Sequence, residues 1–141
     1  MSEKVFRLKL LSTYEESEKV PDFVTKIQEE CNLDESITGT LMLVLSEAVT
    51  NAIVHGNKLE SSKIANVKVQ VGESQIICTV QDEGDGFTPS KQDNPLAEEN
   101  LLKDGGRGVF LINELSDEVE YLNDGTKIRF KLSRPSKMKS S

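Results

Sequence analysis

The sequence predicts an α+β fold, a two-layer α/β sandwich in which helices cover one face of a mixed, mostly antiparallel sheet. Three observations lead to this prediction. Several short segments alternate between polar and apolar residues, two longer segments have helical patterns, and turn-forming residues separate neighbouring strands. The chain has 141 residues, of which 36% are hydrophobic, so it can form one domain with a two-layer core.

The N-terminal half is predicted to contain one strand and two helices. Residues 5–11 alternate between polar and apolar side chains, as in a strand with one buried face. Thr13 and Glu16 have the spacing of a capping box, so we expect a helix from there to about Cys31, which Pro21 is able to interrupt. Asp34 is a good N-cap for a second helix, expected over residues 35–55 and closed by Gly56.

The C-terminal half is predicted to contain two hairpins around a helix. Residues 67–71 and 76–80 form the first hairpin, and a long polar loop rich in glycine and turn formers follows to about Gly105. A helix over residues 109–115 leads to a second hairpin, turning at Asn123-Asp124-Gly125. We expect a single domain over residues 1–133 and a short basic flexible tail over residues 134–141.

Composition disfavours several function classes. The 24 acidic and 17 basic residues give a net charge of −7, which disfavours direct binding to nucleic acid. No apolar run approaches the roughly 20 residues of a membrane span, and the N-terminus lacks a signal-peptide pattern, so a cytoplasmic protein without membrane contact is expected. Cys31 and Cys78 lie far apart and are expected to be core thiols; with a single histidine, a metal hydrolase is excluded.

The second predicted helix carries three polar residues at a spacing of four. Glu47, Asn51 and His55 would project from nearly one face, about one turn apart. A carboxylate can accept a proton, a carboxamide oxygen can ligate Mg²⁺, and an imidazole can meet a phosphate. Taken alone, the same pattern fits a solvated helix face equally well.

Two glycine-containing segments follow. Asp82-Glu83-Gly84-Asp85-Gly86 comes directly after an apolar strand, where a carboxylate can accept a hydrogen bond from the adenine amine and the glycines allow close approach. Gly105-Gly106-Arg107-Gly108 leads into a helix, whose free N–H groups suit a phosphate. An acidic turn and a flexible hinge are the plainer alternatives. Thr126 enters the last strand, where its hydroxyl could close the adenine pocket.

The three motifs in this order resemble the GHKL, or Bergerat, ATP-binding fold shared by gyrase B, Hsp90, histidine kinases and MutL. The segment Ser46–Gly56 is similar to the N box of the anti-sigma-factor serine/threonine kinases, the RsbW-like branch of that superfamily. Gly105–Ile112 and Asp117–Tyr121 resemble the same branch. The similarity extends from about Val5 to Leu132.

This resemblance implies roles for individual residues. Glu47 would be the general base, Asn51 would ligate Mg²⁺, and His55 would lie near the phosphates of ATP. Asp82 would bind the adenine amine, with further contacts to the nucleotide expected from Gly84, Gly86, Gly106, Arg107, Gly108 and Thr126. A lid would run from about Phe87 to Gly105.

The resemblance also implies partners. The substrate would be a serine or threonine of a STAS-domain anti-anti-sigma protein, the sequestered partner would be a sigma factor, and the kinase would be a homodimer. One alternative is a non-catalytic ATP-binding switch, which the presence of Glu47 disfavours. Another is the catalytic domain of a histidine kinase, but the only histidine belongs to the N-box helix and no long coiled helix pair is present.

Overall fold

The computed structural model describes residues 3–84 and 106–134, which form a five-stranded sheet with helices packed on one face. The strands are β1 (Lys4–Leu11), β2 (Ile64–Val71), β3 (Gln75–Gln81), β4 (Glu118–Leu122) and β5 (Lys127–Ser133). Their spatial order is β1-β2-β3-β5-β4. All pairings among these strands are antiparallel, so the described sheet is not mixed. The predicted two-layer α+β fold is confirmed.

Four α-helices accompany the sheet within the described residues. They are α1 (Tyr14–Ser17), α2 (Lys19–Cys31), α3 (Glu35–Thr50) and α4 (Gly106–Leu115). A π-helical segment, Asn51–Gly56, continues α3 without a break. A short 3₁₀ turn, Asn123–Gly125, joins β4 to β5.

The first predicted helix, which ends at Cys31 as expected, is divided in two near Pro21, where an interruption was expected. Its N-cap is as predicted, because the Thr13 hydroxyl accepts a hydrogen bond from the Glu16 amide at 3.1 Å. The chain leaves the helix after Ser17 and starts α2 at Lys19. Pro21, in the first turn of α2, has no N–H to donate to the Ser17 carbonyl, and its ring disfavours a continuous helix at that point.

The core lies between the sheet and the helices. Alternate residues of each strand face the helices, and Leu10, Val69, Cys78 and Phe130 are fully buried there, one on each of four neighbouring strands. Helix α3 crosses this layer and contributes Leu41, Val44, Leu45, Ala48 and Val49. Burial raises the pKa of the Cys78 thiol far above its ordinary value, as expected for a core cysteine, and Cys31 is half-buried against the same core.

The sequence was expected to contain no apolar stretch near the length of a membrane span, but the continuous helix Glu35–Gly56 reaches that length. It has 22 residues and a mean hydropathy of 1.6, which by length and composition alone would allow it to cross a bilayer. Half of that stretch is buried inside the fold. The central helix of a two-layer domain can be equally long and apolar, since its apolar side is covered by the sheet and the neighbouring helices.

The last described residue is bonded to the body of the domain. Arg134 donates its backbone N–H to the Ser74 carbonyl at 2.9 Å, and its guanidinium contacts the Gly72 carbonyl in the turn between β2 and β3. Residues 135–141 lie outside the described part of the chain. The predicted division at residue 133 therefore stays a prediction.

Candidate functional site

The helix that carries Glu47, Asn51 and His55 is placed by its cap and by its apolar side. The Asp34 carboxylate accepts a hydrogen bond from the Ile37 amide at 2.9 Å, as the sequence predicted, and so fixes where α3 begins. Ala48, Val49, Ala52 and Ile53 point into the core. The intervening polar residues are therefore held on the other side of the helix, away from the sheet.

Glu47, Asn51 and His55 have no side-chain partners among the residues that the structure describes. Glu47 and Asn51 are half-buried, His55 is exposed, and none of the three forms a side-chain hydrogen bond or ion pair with another described residue. The Asn51 amide donates to the Glu47 carbonyl, so these two residues are one turn apart. A half-buried carboxylate beside a half-buried carboxamide, both without partners in the described structure, is an arrangement that a ligand can complete.

The third residue of the motif is placed differently from the expectation. From Asn51 onward the helix is π-helical, and the Asn57 amide donates to the Ala52 carbonyl at 2.8 Å, five residues back. Four residues rotate the chain by slightly more than one full turn about the axis of an α-helix. In the wider π-helix the same four residues rotate it by less than one full turn. His55 is therefore rotated relative to the face expected from regular α-helical spacing. Single π-turns of this kind occur frequently at functional sites.

The acidic turn after β3 lies against the end of this helix. Asp82 continues from β3, and its amide donates to the Thr126 carbonyl at 2.8 Å. Its carboxylate accepts from the Gly84 amide at 2.8 Å. A Cβ on Gly56 would overlap the Asp82 carboxylate, and a Cβ on Gly84 would overlap the Gly56 carbonyl. Two glycines therefore allow the helix end and the acidic turn to approach each other closely.

The Asp82 carboxyl is held in a partly desolvated position. Burial is the largest influence and raises its pKa above the ordinary 3.8, while the hydrogen bond from Gly84 and the nearby Lys63 act in the opposite direction. One carboxylate oxygen accepts from the Gly84 amide, and a carboxylate can accept several hydrogen bonds. The arrangement suits recognition of an amine donor at a partly enclosed site.

Sequence reasoning missed Asn57, which organises this region. Its side chain is completely buried, as is Ser12 at the end of β1. The Asn57 side-chain amide donates to the Ser12 hydroxyl at 2.8 Å and to the Ile64 carbonyl at 3.2 Å, and its oxygen accepts from the Glu83 amide at 2.7 Å. In the sequence Asn57 is recognisable only as an asparagine directly after Gly56, the glycine expected to close the helix.

Glu83, inside the acidic turn, was also missed. Its carboxylate accepts a hydrogen bond from the Ile64 amide at 2.6 Å, at the first residue of β2. The turn is therefore attached to the start of β2 through both its backbone and this side chain. This contact could not be predicted from a local sequence pattern, because it joins residues 19 positions apart.

The second glycine segment forms the first turn of α4. The helix begins at Gly106 rather than at Val109, so Gly106, Arg107 and Gly108 belong to the helix itself. Helix α4 packs against α3, and its Ile112 is fully buried. The N–H groups of a first helical turn have no partners within the helix, which suits an anion. The Arg107 side chain lies outside the described part of the structure.

Thr126 is joined to Asp82 by a backbone hydrogen bond. Its carbonyl accepts from the Asp82 amide, as described above, and its hydroxyl donates to the Asn123 carbonyl at 2.9 Å. The threonine is thus at the same end of the sheet as the acidic turn. Gly86 and the predicted lid, residues 87–105, fall outside the described residues, and their roles stay predictions.

Asn51 is the one residue that the sequence analysis assigned to a magnesium ion. Among residues 3–84 and 106–134, no group of three or more His, Cys, Asp or Glu side chains is arranged to hold a metal ion. Asn51 offers a half-buried carboxamide oxygen without a partner in that part of the chain. Mg²⁺ commonly uses one or two protein ligands together with phosphates and water, so this single ligand is compatible with such a site.

The family described as the histidine kinase-like ATPase domain matches residues 10–132, which is most of the chain. The chain belongs to the histidine kinase-like ATPase family. This family membership confirms the GHKL resemblance.

Curated relatives narrow the match within the histidine kinase-like ATPase family. The proteins named serine-protein kinase RsbW from Staphylococcus aureus strains MRSA252 and Newman are both 38% identical to this chain over 94 residues. That alignment covers 61% of this chain and 59% of each relative, so the chain matches a little over half the length of these relatives. The predicted similarity to the RsbW-like branch is confirmed.

A solved structure supports the fold of this family member. The crystal structure of the RsbU and RsbW domains of Rv1364c from Mycobacterium tuberculosis superposes with a TM-score of 0.65 at 18% identity. The superposed region covers 94% of this chain and 34% of the solved chain. At that identity the likeness concerns the fold alone, and it covers the two-layer arrangement described above.

Proposed function

We propose that this chain is an ATP-dependent protein serine/threonine kinase that acts as an anti-sigma factor. In this proposal it phosphorylates a STAS-type anti-anti-sigma protein and sequesters a sigma factor in a partner-switching system. The observation that carries the proposal is the pair Glu47 and Asn51, half-buried, one turn apart and without side-chain partners among the described residues. The curated relatives named serine-protein kinase support the same reaction class.

The proposed reaction transfers the γ-phosphoryl group of ATP to a serine or threonine hydroxyl. Glu47 accepts the hydroxyl proton, the hydroxyl oxygen forms the new P–O bond, and ADP leaves when the bond to the β-phosphate oxygen breaks. Asn51 would hold Mg²⁺, which supplies charge neutralisation at the phosphates when it is bound. Asp82 would orient the base, and the first turn of α4 would donate N–H groups to phosphate oxygens.

A general base distinguishes this reaction from simple nucleotide binding. Binding needs complementary donors and acceptors but no proton acceptor near the substrate hydroxyl. The second candidate is therefore a non-catalytic ATP-binding switch that sequesters a regulatory protein. The attachment of the acidic turn to Asn57 is compatible with this candidate, because it would hold Asp82 for nucleotide binding whether or not phosphate is transferred.

The partner switch itself rests on the family resemblance. The unphosphorylated STAS protein would bind the kinase and release sigma, and phosphorylation would drive the STAS protein off. We infer a homodimer and a cytoplasmic reaction on the same basis. Copurification of the chain with a sigma factor, lost when unphosphorylated STAS protein is added, tests this part separately from catalysis.

The decisive test is transfer of labelled phosphate from ATP and Mg²⁺ to a candidate STAS protein, comparing wild type with Glu47→Ala. We expect transfer to fall by about 10²- to 10⁴-fold because the general base is lost, with ATP affinity retained. Glu73→Gln is a suitable control because Glu73 is exposed in the turn between β2 and β3, and it should leave transfer unchanged.

Each outcome of this test separates the candidates. Label on a serine or threonine that depends on Glu47 establishes the kinase. Tight ATP binding by wild type without transfer to any STAS protein favours the switch. Failure of wild type to bind ATP contradicts both.

A further inference from the structure

The Asn57 side chain is buried and makes several hydrogen bonds. It is 0% exposed, and its amide nitrogen and oxygen make three hydrogen bonds to three separate segments. The Ser12 hydroxyl that receives one of them donates in turn to the Lys63 carbonyl at 2.8 Å. A closed network of this kind holds its members in one geometry, because a buried polar group left without a partner is costly.

The network joins the N-box helix to the acidic turn. Asn57 directly follows the π-helical segment, and its oxygen accepts from the Glu83 amide at 2.7 Å. Glu83 lies next to Asp82, whose own amide is bonded to the Thr126 carbonyl at 2.8 Å. The backbone of Asp82 is therefore fixed on both sides, by Thr126 before its Cα and by Asn57 after it. The Ile64 amide adds a third attachment through the Glu83 carboxylate.

A fixed carboxylate can discriminate between purine bases. Adenine presents an exocyclic amine, which donates a hydrogen bond, whereas guanine presents a carbonyl oxygen at the same ring position. A carboxylate that cannot move away accepts from the amine and repels the carbonyl. Sites built around such a hydrogen bond reject the wrong partner strongly, provided that the group is held in place.

We propose that Asn57 is a positioning residue that sets the preference for adenine over guanine by fixing the Asp82 turn. The inference rests on the proposed function, because it takes Asp82 to be the acceptor for the adenine amine. Asn57 itself is buried and bonded within the fold, so it acts through Glu83 and Asp82. Loss of the Asn57 oxygen would free the Glu83 amide and let the Asp82 carboxylate relax away from a guanine carbonyl.

The chain offers a matched control at Ser12. Ser12→Ala removes two buried hydrogen bonds, to Asn57 and to the Lys63 carbonyl, but leaves the Asn57 bonds to Ile64 and Glu83 intact. Asn57→Ala removes the Asn57 bonds to Ser12, Ile64 and Glu83 and leaves the Ser12 bond to the Lys63 carbonyl. Both changes are expected to reduce stability. Only the change at Asn57 is expected to alter base preference.

The experiment is to measure the dissociation constants of ATP and GTP for wild type, Asn57→Ala, Asn57→Ser and Ser12→Ala. Calorimetry is suitable, at a temperature where circular dichroism shows that each protein is folded. We expect the ratio of the GTP to the ATP constant to fall by about tenfold in Asn57→Ala, as for the loss of one oriented hydrogen bond. Ser12→Ala should keep the wild-type ratio. Asn57→Ser, whose hydroxyl is too short to span to Glu83, gives the same test if the alanine variant does not fold.

The outcomes separate this inference from the function on which it rests. Equal weakening of ATP and GTP in Asn57→Ala, or an equal loss of preference in Ser12→Ala, would show a purely structural role and overturn the inference while ATP binding stands. Wild type that binds ATP and GTP equally would also overturn it. Wild type that binds neither nucleotide would overturn the proposed function as well.

Discussion

At the scale of single residues, Asp82 combines two properties that oppose each other. Its position against Gly56 and Gly84 removes water from the carboxyl, which disfavours the charged form. The charged form is nevertheless the stronger acceptor for an amine. Without a bound nucleotide, the desolvation of the Asp82 carboxylate therefore destabilises the folded protein. Asp82 is also the residue that we expect to accept a hydrogen bond from the adenine amine.

This conflict predicts opposite pH dependences for stability and for binding. Burial raises the folded-state pKa of Asp82 above the ordinary 3.8 expected in the unfolded chain, so the folded state binds more protons between the two values. The free energy of unfolding should therefore fall as pH rises through that window, relative to Asp82→Asn. ATP affinity of wild type should rise over the same window as the carboxylate forms.

Urea titrations of both proteins between about pH 3.5 and pH 6 measure the stability difference, and calorimetry measures the affinity. Asp82→Asn serves as the reference because it keeps the shape but does not titrate. A stability difference that is flat with pH, or one that grows in favour of wild type as pH rises, would contradict this account of Asp82.

At the scale of secondary structure, the sequence predicted most elements and missed how two of them meet. Alternation located β1, and the cap residues Thr13 and Asp34 located the helix starts to within a residue. The π-turn after Asn51 was not predictable, because a change in hydrogen bonding from four to five residues leaves the apolar pattern nearly unchanged. Asn57 was missed because its partners are distant in sequence.

The contact between the π-helical segment and the acidic turn predicts unequal effects of added methyl groups. Gly84→Ala places a Cβ on the backbone carbonyl of Gly56, which cannot move without displacing the helix end. We expect a loss of about 1–3 kcal/mol in the free energy of unfolding, as for overpacking, together with weaker ATP binding. Thermal and urea denaturation measure the first effect, and calorimetry measures the second.

Gly39 provides the control for this prediction. It lies within α3, and a Cβ there has nothing within 4 Å. Gly39→Ala should raise stability by about 0.5–1 kcal/mol through helix propensity and leave nucleotide binding unchanged. If Gly84→Ala were as harmless as Gly39→Ala, the close approach of the helix end to the turn would not be required for folding.

At the scale of the whole molecule, charge is unevenly distributed over the two layers. The sheet face away from the helices carries Arg7, Lys9, Lys68 and Lys127, and none of these forms an ion pair with another described residue. Two further cations on this face, Arg129 and Lys131, pair with Glu120 and Glu118 of β4. The chain as a whole has a net charge of −7. A cationic sheet face therefore belongs to an acidic protein.

This distribution predicts how the proposed homodimer responds to salt. Two copies repel through their net charge wherever they meet, and they repel further if the cationic faces meet each other. Screening lengths fall from about 30 Å at 0.01 M to about 3 Å at 1 M ionic strength, so the dimer should strengthen as salt is added over this range. Sedimentation equilibrium at several salt concentrations measures the dimerisation constant.

Lys68→Gln then identifies the surface involved. Lys68 lies on β2, near the middle of the cationic sheet face. Its replacement makes the whole chain more acidic while it makes this face less cationic. A dimer formed through the cationic sheet faces should therefore become tighter at low salt, whereas a dimer formed through another surface should become slightly weaker. A dimer that dissociates as salt is added would mean that opposite charges meet at the interface, contrary to the repulsion expected here.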